Sequence, residues 1–125
     1  MNLNQVTIPS LDTNKSVAFY VTLGLNLIVD ALPRYARLEC PNGESTVSIH
    51  EAIDLSKGEG IVLYFENERL DETVKMLKTK GITFTSEPED KTWLWREAHL
   101  FDPDGHKLIL FQAGENRKNP PWRIG

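Results

Sequence analysis

Hydrophobic residues follow two rhythms along this chain, and the series of rhythms occurs twice. From Gln5 to Ile8 polar and apolar residues alternate, the two-residue period of a strand with one buried face. From Thr13 to Leu23 the apolar positions shift to i, i+3 and i+4 spacing, which predicts an amphipathic helix opened by Asp12 and stopped by Gly24. Further alternating runs predict strands at 25–30, 34–40 and 45–51. The series then restarts, with a strand at 61–66, a helix at 69–80 opened by Asp71 and stopped by Gly81, and strands at 82–85, 93–101 and 106–112. The predicted order is βαβββ followed by βαβββ, an α+β chain.

The repetition is visible in the residues themselves. Residues 5–28 align without gaps on residues 62–85 at an offset of 57, so that Val6 meets Leu63, Val17 meets Val74 and Gly24 meets Gly81. Further on the offset becomes 62, and Ala36–Gly43 lies against Ala98–Gly105. Both segments end in Pro-Asn-Gly or Pro-Asp-Gly, turn chemistry that closes hairpins. One domain over residues 1–113 follows, with modules at about 2–56 and 58–113. Residues 114–125 stand outside both repeats. Pro120-Pro121 keeps this arm extended, and Trp122 is expected to anchor it on the body or on a neighbouring subunit.

Composition narrows the function classes. The chain has 125 residues and is 40% hydrophobic, enough for a core without staples. A lone Cys40 forms no internal disulfide, and no Cys/His cluster suggests zinc. The net charge of -4 is spread out, with no basic stripe to neutralise phosphates, which argues against nucleic acid. No apolar run approaches the roughly 20 residues of a bilayer crossing, and the N-terminus reads as a strand and not a signal peptide, so the expected location is cytoplasmic. Small molecules and other proteins remain as partners.

Asp12, Ser16, Phe19-Tyr20 before Leu23-Gly24, Leu77, Gly81 and Asp102-Pro103-Asp104-Gly105, in this order and spacing, resemble the vicinal oxygen chelate superfamily, which holds the glyoxalases, bleomycin resistance proteins and extradiol dioxygenases. The likeness spans essentially residues 2–113. It implies that each module curls its mixed sheet, that the curled sheets enclose a small-molecule cavity, that helices cover the outside, and that modules pair, here as a homodimer to which the arm contributes.

Strand parity then sorts the side chains. Val6/Ile8, Val47/Ile49, Ile61/Leu63/Phe65 and Leu108/Leu110 should pack under the helices, and the alternate residues should face the cavity. Among those, Glu97 and His50 are the candidate catalytic groups, Glu97 as a general base or as the partner of Arg37 or Arg96, His50 because imidazole titrates near neutrality. Gln5, Tyr35, Arg37, Tyr64, Trp93, Trp95 and His99 are the candidate ligand contacts, with both indoles expected on one strand face beside Glu97.

Metal-using members of the superfamily carry four inward ligands. By resemblance these fall on Gln5, on Ser48 or His50, on Gly60 or Val62, and on Ile109. Two of the four lack a donor side chain, so no metal or other cofactor is expected at the family's site. A displaced divalent site from Gln5, His50, Glu97 and His99 stays open. The expectation is a glyoxalase-like protein with a small-molecule cavity and an undefined substrate. The alternatives are a resistance-type protein that sequesters an aromatic or cationic ligand, and a lyase or dioxygenase using a displaced metal.

Overall fold

Gln5-Val-Thr-Ile-Pro-Ser forms β1 (Gln5–Ser10), and Ile8 and Ser10 are its buried positions. In the computed structural model, which describes all 125 residues, the chain divides into two compact units. One comprises Met1–Gly60 together with Asp102–Asp104, the other Ile61–Phe101 together with Gly105–Gly125.

In the first unit, α1 (Thr13–Leu23) begins where Asp12 accepts a hydrogen bond from the Lys15 amide. It ends at Gly24, whose φ of 120° a side chain would resist. Then come β2 (Asn26–Ala31), β3 (Tyr35–Glu39) and β4 (Thr46–Glu51). The sheet order is β1-β4-β3-β2, with β1 parallel to β4 and the other neighbours antiparallel. Helix α1 packs on β4, β3 and β2. Val17 and Tyr20 of the helix and Ala36, Leu38, Val47 and Ile49 of the strands are buried, the last four as alternation predicts for one face of each strand.

The second unit repeats this plan. β5 (Val62–Glu66), α2 (Leu70–Thr79), β6 (Glu89–Asp90), β7 (Arg96–Phe101) and β8 (Lys107–Gln112) give a sheet of order β5-β8-β7-β6. Leu70, Val74 and Leu77 of α2 bury against the face that carries Leu63, Ala98, Leu100, Leu108 and Leu110. The fold is therefore α+β, two four-stranded mixed sheets of matching topology.

The expected strand at 82–85 does not form, and the edge strand is the two-residue β6 instead. Ile82–Thr85 has strand composition, but its pairing stops at once. The His99 amide donates to the Ser86 hydroxyl, so a side chain takes the place of a backbone partner, and Pro88 follows. Strand β7 starts at Arg96 and not at 93, because Trp93 and Leu94 lie in a turn where Leu94 has a φ of 67°. The arm folds into a short 3-10 turn (Gly114–Arg117) held by Trp95 Nε1 donating to the Asn116 carbonyl at 3.1 Å. Trp122, expected to anchor the arm, is 57% exposed, so it does not anchor the arm on its own chain.

Candidate functional site

Strand register carries side chains of alternate parity to the face opposite each helix. In the first unit the cross-strand row Thr7, Ser48 and Arg37 lies next to the row Pro9, His50 and Tyr35. Three of these side chains join. The Tyr35 hydroxyl lies 2.7 Å from Ser48 Oγ and accepts from Arg37 Nε at 2.9 Å. Ser48 is fully buried, and Tyr35 and Arg37 are half-buried. The Ser48 hydrogen bond, with the Arg37 N–H and its charge behind it, stabilises the phenolate and lowers the pKa of Tyr35 from the ordinary phenol value.

In the second unit the corresponding row places Glu97 across from Phe111 and His99 across from Ile109, with Tyr64 on the other side of Ile109. Glu97 is only 2% exposed. One carboxylate oxygen accepts from Trp93 Nε1 at 2.7 Å, the other from His99 Nε2 at 2.8 Å. A buried carboxylate needs such donors. Trp95 stacks on Phe111 with ring centroids 4.5 Å apart, and Tyr64 meets both rings edge-on. Tyr64 and Trp93 remain about half exposed, at 51% and 45%. This face can hold a flat organic group against aromatic rings, with a desolvated carboxylate directly behind them.

The sequence-derived residues thus gather into two clusters. Tyr35 and Arg37 share one, and Glu97, His99, Trp93, Trp95 and Tyr64 share the other. Trp93 reaches Glu97 from a turn and not from the strand face expected. Arg96, one of the ion partners considered for Glu97, has the opposite parity: it binds Asp71 of α2 at 2.8 Å and Asp90 at 3.0 Å. An open surface groove of about 310 Å³ lies on that side, lined by Asp71, Lys75, Lys78, Glu87 and Arg96, where acids and bases interleave.

His50 and Gln5 have no side-chain hydrogen bond to Tyr35, Ser48 or Arg37. His50 is exposed and lies in register with Tyr35 and Pro9, while Gln5 is exposed and accepts from the Thr46 hydroxyl at 2.9 Å. Gln5 is in register with Thr46, four residues from His50 along β4. That separation is about 13 Å, so the two cannot ligate one ion, and a displaced site drawing on Gln5, His50, Glu97 and His99 together is ruled out. At the positions the resemblance assigns to the family's ligands, Ile109 and both Gly60 and Val62 carry no donor side chain, and of Ser48 and His50 the former is bonded to Tyr35. This donor set does not fit the family's metal.

A group that the sequence reading missed lies in the turn between β7 and β8. There Asp102, Asp104 and His106 bring one ligand atom each within 4.8 Å of one another, so they could hold a cation. The i, i+2, i+4 spacing of these residues was its only signal. The two carboxylates also brace the turn. Asp102 accepts from the Tyr20 hydroxyl at 2.7 Å and from the Asp104 amide at 3.0 Å, and Asp104 accepts from the Leu11 amide at 2.8 Å.

The sequence profile of the Glyoxalase/Bleomycin resistance protein/Dioxygenase superfamily matches residues 2–110. A search of curated proteins returns no match. Among solved structures, a glyoxalase/bleomycin resistance protein/dioxygenase from Nocardioides superposes with a TM-score of 0.79 at 23% identity, covering 100% of this chain and 90% of that one. Lactoylglutathione lyase from Agrobacterium tumefaciens gives 0.74 at 14% identity, covering 89% and 92% of the two chains. A bleomycin-binding protein complexed with bleomycin gives 0.71 at 24% identity, covering 90% and 98%. At these identities the likeness is one of fold.

Proposed function

We propose that this chain, which belongs to the Glyoxalase/Bleomycin resistance protein/Dioxygenase superfamily, binds a flat, aromatic or cationic organic molecule on the β5-β8-β7 face without the family's metal. The observation that carries this reading is the buried Glu97 holding Trp93 and His99, beside the rings of Tyr64, Trp95 and Phe111. Trp93 and Tyr64 supply stacking area, and Glu97 fixes Trp93 and lends the face negative character. A bleomycin-binding protein of the same fold has been solved with its ligand, which supports small-molecule binding as a use of this architecture.

Binding would be read by quenching of tryptophan fluorescence with bleomycin and with 9-aminoacridine, a flat cation. Trp93→Ala is expected to abolish most of the response. Glu97→Gln should weaken affinity by about 1 to 3 kcal/mol, the range for a hydrogen-bond partner that carries charge. Saturable binding unchanged in both variants, or no binding of either probe, would overturn the proposal.

A second reading, proton transfer at His99, is favoured by one distance. With Nε2 donating to the Glu97 carboxylate at 2.8 Å, Nδ1 is the nitrogen left to accept a proton. Nitrogen NMR of His99 finding the proton on Nδ1 would refute it.

A further inference from the structure

The cations of this chain are treated unequally. Exposed Arg69 pairs with Glu72, Arg117 with Glu66, and Arg96 with both Asp71 and Asp90. Arg37 is half-buried, where a charge left uncompensated costs more than it does on the open surface. It forms no ion pair in the chain, and its one bonded partner is the neutral Tyr35 hydroxyl. Besides Tyr35, the charged or titratable residues sharing its sheet face are Glu39, two positions along β3, and His50 on β4. Opposite parity excludes Asp30 of β2, and β1 contributes only Gln5, Thr7 and Pro9 to this face.

We propose that Arg37, Tyr35 and Ser48 form an oxyanion-binding site, which takes a carboxylate or phosphate group of a ligand. The bond from Nε to the Tyr35 oxygen fixes the plane of the guanidinium, and its terminal amino groups are left to make the forked contact that suits such an anion. Ser48 anchors the Tyr35 hydroxyl from a fully buried position, so the fork is set before ligand arrives. The pKa of Tyr35 is lowered first by the Ser48 hydrogen bond and then by the Arg37 N–H and charge, in keeping with donors that converge on one oxygen. This site lies in the first unit and does not depend on the Glu97 reading.

The test uses the full chain with inorganic phosphate and, separately, acetate as probes, against chloride at equal ionic strength. The readouts are the Arg37 Nε–H resonance and thermal stability. A saturable shift of that resonance with a rise in melting temperature is expected, and the stronger of the two probes identifies the kind of anion preferred. Arg37→Met should weaken the stabilisation by about tenfold or more in apparent affinity, the effect of losing a charged hydrogen-bond donor. Arg37→Lys, which keeps the charge without the fork, should fall between the two. If neither anion moves the wild-type resonance in a saturable way, or if Arg37→Met responds as wild type does, the proposal is wrong. The wild-type resonance decides the matter even if Arg37→Met does not fold.

Discussion

Replacing Tyr20 by Phe isolates one hydrogen bond in the first unit. The Tyr20 side chain is fully buried, and its hydroxyl donates at 2.7 Å to Asp102, itself 5% exposed. The ring stays in place in Tyr20→Phe, so packing is nearly conserved and the loss is the bond to a charged acceptor, about 1.5 to 3 kcal/mol. Asp102 keeps the Asp104 amide, which places the expected cost near the middle of that range, about 2 kcal/mol. For a chain of this size that is a fall in melting temperature of about 8 °C.

The same bond has a signature in pH. Burial first, and then the charge of Asp102, raise the Tyr20 pKa far above the ordinary value of 10.0. A raised folded-state pKa gives stability that is fully present below the unfolded value and is lost as pH climbs through it. The gap between wild type and Tyr20→Phe should therefore stay constant from neutral pH to about 9 and then close by about 1.4 kcal/mol per pH unit above 10. Urea melts at several pH values would measure it, and the remaining tyrosines and lysines are common to both proteins and cancel. A variant within about 0.5 kcal/mol of wild type at neutral pH, or a gap that ignores pH, would refute the reasoning.

Other outcomes follow from the same geometry. Tyr35 should ionise below the ordinary phenol range, and both Ser48→Ala and Arg37→Met should raise its midpoint, read from tyrosinate absorbance; an unmoved midpoint would disprove the coupling. Removing residues 114–125 deletes the Trp95–Asn116 bond and should lower the melting temperature by about 2 to 6 °C, from a bond worth about 0.5 to 1.5 kcal/mol; sedimentation of the same protein tests whether the arm supports the expected homodimer. Protein purified without chelators should carry no stoichiometric first-row metal that disappears in Gln5→Ala, and elemental analysis would show otherwise.

Periodicity made most of the fold legible. Apart from β7, which starts three residues late, both helices and the strands with a buried face lie within a residue or two of where alternation put them, because one-sided burial writes itself into the sequence. The two exposed edges differ: β2 formed within one residue of its expected bounds, while the second unit's edge did not. The 82–85 strand, placed by the repeat of the βαβββ series, did not form, and the edge formed at Glu89–Asp90 instead. Trp93 was given a strand face by counting back from Glu97, but the left-handed Leu94 breaks the count, and the indole meets Glu97 through a turn. The Tyr20–Asp102 bond spans 82 positions, so no local pattern could announce it.

The duplication explains why two clusters exist and why they differ. At the offset of 62, Tyr35 corresponds to Glu97 and Arg37 to His99, and register confirms that each pair occupies the face opposite its own helix. At the offset of 57, Gln5 and Thr7 correspond to Val62 and Tyr64. The neighbouring strand supplies a buried hydroxyl in the first unit, at Ser48 beside Arg37, and a buried aliphatic in the second, at Ile109 beside His99. One backbone plan thus holds a phenol and a guanidinium in one copy and a carboxylate and an imidazole in the other. The copies have the same topology but opposite electrostatic character, so exchanging a single position tests whether environment or residue sets the chemistry. Glu97→Tyr should break at least one of the bonds to His99 and Trp93, because a phenol offers one oxygen where the carboxylate offers two separate acceptors. A crystal structure of that variant retaining both hydrogen bonds would show that the backbone, and not the carboxylate, positions the cluster.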